Sequence, residues 1–153
     1  MTELEMYFNQ DIFNPKYLFH GTAHKIEMLE LRESKDSVNK NNEDYAIFLT
    51  SSIYTASAYA FSRRLKELNE HYSFSMNNNG ELPAMVFEVD NLLDDLYGYI
   101  YIFEKTEDMI KDNHQFTTQY RCYHNLIPKK VIKVDYKDFE KYFSRETQNK
   151  KTI

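Results

Sequence analysis

The chain has no tryptophan, one cysteine, three glycines and three prolines in 153 residues. A lone thiol, Cys122, excludes an internal disulfide framework and a thiolate zinc site, and it fits a reducing compartment. The longest apolar stretch without a charge, Leu96 to Phe103, is eight residues long and contains a glycine. A membrane-spanning helix needs about 20 such residues, so no membrane partner is expected. The first thirty residues carry Glu3, Glu5 and Asp11 and lack a basic flank followed by an apolar run. No secretory signal is visible there, and a cytoplasmic location is expected.

Positive charge is also scarce. Nineteen basic against 24 acidic residues give a net charge of -5, which argues against a general phosphate-binding surface. The basic residues gather late: Lys129 to Ile153 holds eight Lys or Arg against four Asp or Glu, a net of +4 that leaves -9 for the first 128 residues. Because acidic residues interleave with the basic ones, this stretch predicts a solvated helix face rather than an arm for nucleic acid. Walker, dinucleotide-binding glycine and G-x-S-x-G motifs are all missing. His20 and His24 lack a metalloprotease glutamate, and His114, Cys122 and His124 do not fall at a zinc spacing, so no metal is expected. Cys122 and His124, at i and i+2 on a strand, share a face without setting up a thiol and its base.

What is present is a core. Hydrophobic residues make up 42% of the chain, with 13 Tyr and 11 Phe, which excludes disorder. The length suits one domain, and no internal linker separates segments long enough to hold their own cores. Leu4, Tyr7, Phe8 and Ile12 lie at helical spacing, ending before Pro15. Tyr17 to Phe19 reads as a short strand delivering His20 and Gly21, and Ala46 to Thr50 as a second strand. Thr50, Ser51 and Ser52 offer caps for a helix from Ile53 to about Leu68. Strands are predicted over Ala84 to Val89, Tyr97 to Phe103, Phe116 to Tyr123 and Lys130 to Val134. Ser34 to Asp44 and Ser75 to Glu81 read as long loops. Asp135 is expected to cap a last helix, about 135–146, with Tyr136, Phe139 and Phe143 inward. Strict strand-helix alternation is absent, so the fold class is α+β.

Average usage would give about eleven glycines, so a scarce glycine marks a place where the backbone requires one. Gly21, between His20 and Thr22, is either an ordinary turn after a strand or a point where a planar ligand group meets the main chain. Phe48 on a strand and Tyr59 on the following helix are either core residues or two rings facing across a cleft, able to sandwich a flat cationic heterocycle.

These pieces, in this order, resemble the histidine-type ADP-ribosyltransferases, which include diphtheria-type toxins, poly(ADP-ribose) polymerase catalytic domains and rifamycin-modifying transferases. Tyr17-Leu18-Phe19-His20-Gly21-Thr22 is similar to their first strand motif. Ala46-Ile47-Phe48-Leu49-Thr50 through Ala56-Ser57-Ala58-Tyr59-Ala60 is similar to the second, and Gln119-Tyr120-Arg121-Cys122-Tyr123 with the strand to Val134 to the third. The resemblance implies a split, mostly antiparallel sheet with a few flanking helices, a core over about 17–134, and NAD as co-substrate. It implies that His20 binds a hydroxyl of the nicotinamide ribose, that Gly21 pairs its main chain with the carboxamide and that Thr22 assists at the ribose. Tyr59 would stack on the nicotinamide, with Phe48 and Thr50 lining the same site; Tyr54, one turn or so earlier on the helix, is a further candidate whose position does not match the motif. Phe48 stands where many members have tyrosine, and Gln119 where strong glycohydrolases and polymerases have glutamate. An amide brings no net charge and cannot act as a general base, which typically costs about 10² to 10³ in rate, and Glu104 or Asp95 is then a substitute carboxylate.

The expected function is mono-ADP-ribosyl transfer to an acceptor that is a protein, nucleic acid or small molecule. One alternative is a catalytically weak or inactive module that binds NAD or an adenine nucleotide signal. A second is a tyrosine-rich protein-interaction domain. Transfer of an RNA 2'-phosphate to NAD is disfavoured, because it would want clustered arginines and this chain has five, scattered.

Overall fold

The two halves of strand β1, Tyr17–Thr22, explain how the fold is layered. Side chains alternate across a strand, and here Leu18 and Phe19 are both completely buried, in different apolar clusters. The sheet is therefore covered on both faces. These statements come from a computed structural model that describes residues 3–25, 46–77, 84–89, 96–112, 118–139 and 143–147.

Helix α1, Glu3–Phe8, precedes β1. Strand β2, Ile47–Thr50, leads into helix α2, Ile53–Leu68, and then β3, Tyr72–Asn77, and β4, Ala84–Val89. Strands β5, Tyr97–Glu104, β6, Ile110–Lys111, β7, Gln119–Cys122, and β8, Lys130–Asp135, follow, and β9, Phe143–Thr147, comes last. Six strands form one antiparallel sheet in the order β6-β7-β2-β1-β5-β8. The other three form a sheet in the order β3-β4-β9, in which β9 runs parallel to β4. The class is α+β.

Helix α2 starts where the sequence predicts, because Ser52 Oγ accepts the Thr55 amide at 3.3 Å and satisfies one otherwise unpaired donor. It lies directly on β1 and β5. An added Cβ at Gly21 would stand 1.7 Å from the Ala56 carbonyl oxygen, and one at Gly98 would stand 2.7 Å from Ala60 Cβ. Ala56 and Ala60 are one helical turn apart, so two alanines over two glycines let main chain meet main chain. Phe61 and Leu65, on the flank toward β8, pack with Ile100, Val134 and Phe139. The opposite sheet face is closed by Met109 and Leu126 over Ile47, Leu49, Tyr101 and Tyr120.

Three expectations need correction. The first helix ends at Phe8 rather than near Ile12, because Asp11 folds the chain: its Oδ1 accepts the Phe13 amide at 2.9 Å, an Asx turn. The stretch from Ser75 is not all loop, since Ser75 to Asn77 belong to β3, paired with β4. The final helix is a single 3-10 turn, Tyr136–Asp138, without a side-chain cap from Asp135, and the chain then returns as β9. The free edge of β4 supplies β9 with a main-chain ladder, from Met85↔Phe143 to Val89↔Thr147, that outweighs a local helical pattern. The basic stretch is thus not a helix face: Lys130 and Lys133 are exposed on edge strand β8, where charge deters pairing with another chain. The predicted loop 34–44, Phe116 and residues 78–81 lie outside the described residues. Among the described residues no helix is long and apolar enough to cross a membrane.

Candidate functional site

Strands β1 and β2 are central neighbours, yet they share one registered pair, Phe19↔Thr50. On its other side β1 pairs with β5 along all six residues. Beyond Phe19 the two strands therefore part, and the sheet opens. His20 spans this opening, with its Nδ1 2.9 Å from the Phe48 carbonyl oxygen. A carbonyl oxygen only accepts, so Nδ1 carries the hydrogen, and in the neutral ring Nε2 is then the acceptor. Thr22, at the end of β1, is half-buried, and its Oγ1 accepts the His24 amide at 3.4 Å.

Across the opening, the register Phe48↔Arg121 and Thr50↔Gln119 sets four side chains on one face of β2 and β7. The Arg121 guanidinium lies over the Phe48 ring, 4.8 Å from its centroid, a cation-π contact. Arg121 Nε donates to Asp112 Oδ1 at 2.7 Å, and Gln119 Nε2 donates to Asp112 Oδ2 at 2.6 Å. The Arg121 and Asp112 side chains are only 14% and 11% exposed, so water screens this pair much less than a surface ion pair. The line Phe19–Thr50–Gln119 crosses two strand spacings, which places β7 about 10 Å from β1.

Tyr59 is 45% exposed, so it is not a core residue. A residue advances about 100° around a helix, which puts Tyr59 on the flank of α2 away from Phe61 and Leu65. Tyr59 is thus on the flank opposite the one that packs with Val134 of β8. Tyr54 is about 140° from Tyr59 by the same rotation, and its ring stacks on Phe8 at 5.0 Å. The two tyrosines are not brought together. Thr50 is buried, sharing a 3.1 Å hydroxyl contact with Thr118 and accepting the Ser52 amide, so it shapes the turn into α2. Gly21 has a packing reason of its own in the approach of Ala56.

Glu104 lies opposite Tyr17, at the far end of β1 from the opening, and pairs with Lys129. Asp95 is outside the described residues. The carboxylate that meets Gln119 is Asp112, which sequence reasoning missed. Its place depends on β6, a two-residue strand with no apolar pattern, and on the Asp112 amide donating to the Gln119 carbonyl at 2.9 Å. Among the described residues no group of three or more His, Cys, Asp or Glu is placed to hold a metal. Comparison with protein families, with characterised proteins and with solved structures finds no match to this chain.

Proposed function

We propose that the chain binds NAD across the opening between β1 and β2 and transfers its ADP-ribose slowly to an acceptor nucleophile. The observation that carries this reading is the parting of β1 from β2 with the His20 imidazole held in the gap by the Phe48 carbonyl. In this reading the sheet is the split sheet of the ADP-ribosyltransferases. The ribose of the nicotinamide half presents two hydroxyl donors. His20 on β1 and Gln119 on β7 are polar side chains of a kind that suits them.

The rings of Phe48 and Tyr59 flank the cationic pyridine, Gly21 lends its main chain to the carboxamide, and Thr22 assists at the ribose. In transfer, the bond between the ribose C1' and the pyridine nitrogen breaks with its electron pair leaving on nitrogen. The acceptor forms the new bond to C1' and loses its proton. Positioning of the sugar is the main contribution of this chain. Positive charge grows on the ribose as that bond stretches, and Gln119 offers it no negative charge. Asp112 is negative but already compensated by Arg121. A loss of about 10² to 10³ in rate is expected from such a missing electrostatic partner.

The same compensation favours a second reading, in which NAD is held and not cleaved. Incubation with NAD and candidate acceptors, followed by measurement of free nicotinamide and acceptor mass, separates the two. Nicotinamide release with a matching mass gain supports transfer. Calorimetric binding with NAD recovered intact supports the second reading, and no binding at all removes both.

A further inference from the structure

We propose that Arg64 of α2 and Lys133 of β8, held on the ring of Tyr97, form a binding site for a phosphate monoester, separate from the NAD site and independent of that reading. The Arg64 guanidinium carbon lies 4.0 Å from the centroid of the Tyr97 ring, and Lys133 Nζ lies 4.4 Å from the same centroid. The two cations can be no farther apart than the sum of those distances, 8.4 Å. That is comparable to the Debye length of about 8 Å at physiological ionic strength, so their fields add at one place. Tyr17 also carries two cations, Lys16 at 5.4 Å and Lys129 at 5.6 Å, but there Lys129 is paired with Glu104. Arg63 is paired with Glu67, and Arg121 with Asp112. Arg64 and Lys133 make no ion pair among the described residues. Two acidic residues are near. Asp135, the register partner of Tyr97, is exposed and pairs with neither cation, and Glu67, one turn along α2, is held by His24 and Arg63.

Arg64 is fixed without being neutralised. Its Nε donates to the Tyr97 carbonyl at 3.0 Å and its Nη2 to the Ala23 carbonyl at 2.9 Å, and a carbonyl oxygen carries no net charge. A guanidinium has five N–H groups, so three remain, both of those on Nη1 among them. Such a planar fork takes two oxygens of one phosphate side by side. Lys133, exposed on the outer strand, adds a second charge on a mobile stem. Charge selects the ligand class. A phosphate monoester carries about -1.5 to -2 at pH 7 and matches two cations, whereas a diester or a carboxylate carries one negative charge. The net charge of -5 excludes a broad anion-binding surface and leaves room for a point of this kind.

The test is an NMR titration of the full chain with methyl phosphate at constant ionic strength, read at the Arg64 side-chain N–H and the Tyr97 ring signals. Both should shift and saturate together. Dimethyl phosphate and acetate should bind about tenfold or more weakly, the worth of a charge-assisted hydrogen bond. Lys133→Gln, a change at an exposed side chain, should leave the fold intact and weaken methyl phosphate about fivefold or more. Lys137→Gln removes a neighbouring exposed lysine, in the 3-10 turn, and should change the affinity by less than about twofold. No saturable shift at Arg64 and Tyr97, equal affinity for dimethyl phosphate, or equal losses in the two lysine variants would overturn the proposal. Repeating the titration with NAD present separates this site from the NAD reading. Methyl phosphate should bind as before, and its displacement by NAD would overturn the proposal. Failure of NAD to bind, with methyl phosphate still bound at Arg64, removes the NAD reading alone.

Discussion

Replacing Gly21 with alanine would place one methyl group against the main chain of α2, and the size of the effect follows from three distances. The new Cβ would lie 1.7 Å from the Ala56 carbonyl oxygen, 2.7 Å from its carbon and 3.0 Å from the Ala60 nitrogen. Ordinary contacts between such atoms are near 3.5 Å, so the helix must retreat by roughly 1.5 Å or the strand must bend. Overpacking typically costs about 1 to 3 kcal/mol, and main-chain atoms cannot swing aside as a side chain does, so about 3 kcal/mol or more is expected. For a chain of this size that is a fall of about 6 to 12 °C in Tm. With no tryptophan to report, urea unfolding followed by far-UV circular dichroism is the assay. Gly98→Ala is the internal comparison. Its Cβ would meet the Ala60 Cβ at 2.7 Å, so Ala60→Gly should restore part of the loss, whereas Ala56→Gly removes no atom that the Gly21→Ala methyl meets. A Gly21→Ala protein within about 1 kcal/mol of the parent, or one rescued by Ala56→Gly, would refute the reasoning.

Three other outcomes are expected. Ser52→Ala should lower stability by about 1 kcal/mol through loss of the cap on the Thr55 amide, measured by thermal melting. His20→Ala should lower it by about 1 kcal/mol or more through loss of the hydrogen bond to the Phe48 carbonyl, while weakening NAD binding more than tenfold by calorimetry. His124 should titrate above its ordinary value by NMR, because its ring is bonded to the Asn125 carbonyl and to Asp108, and Asp108→Asn should bring the midpoint down. The sign follows from a raised folded-state value. The contribution of the protonated ring is present below the unfolded value and is lost as pH rises through the folded one.

Much of the frame was legible because its signals are local. The apolar flank of Ile53 to Leu68 and the hydroxyl at Ser52 fix α2 at both ends, and the tyrosine-rich run of β5 reads as a strand on composition alone. The C-terminal region misled for a definite reason. Tyr136, Phe139 and Phe143 fit helical spacing, but the partner that makes Phe143–Thr147 a strand is β4, remote in sequence and reached by parallel pairing. Tyr72–Asn77 alternates as a strand should, yet from Ser75 onward the Ser and Asn content reads as loop. At the site, scarcity pointed to Gly21, while the reason for it lies in an alanine of a later helix. Phe48, Gln119 and Arg121 are set on one face by register, which strand propensity does not encode. Asp112 was invisible for the same reason, since it meets Gln119 only through a two-residue strand.

The central claim is that the opening beside His20 holds the nicotinamide end of NAD against the exposed ring of Tyr59. Calorimetric titration of NAD into the parent chain and into Tyr59→Ala tests it most directly. Because Tyr59 is 45% exposed, the substitution should cost little stability, about 1 kcal/mol or less, and should abolish measurable binding. Equal NAD affinity in the two proteins, or a Tyr59→Ala chain destabilised by the roughly 3 to 5 kcal/mol of a lost core aromatic, would contradict the account.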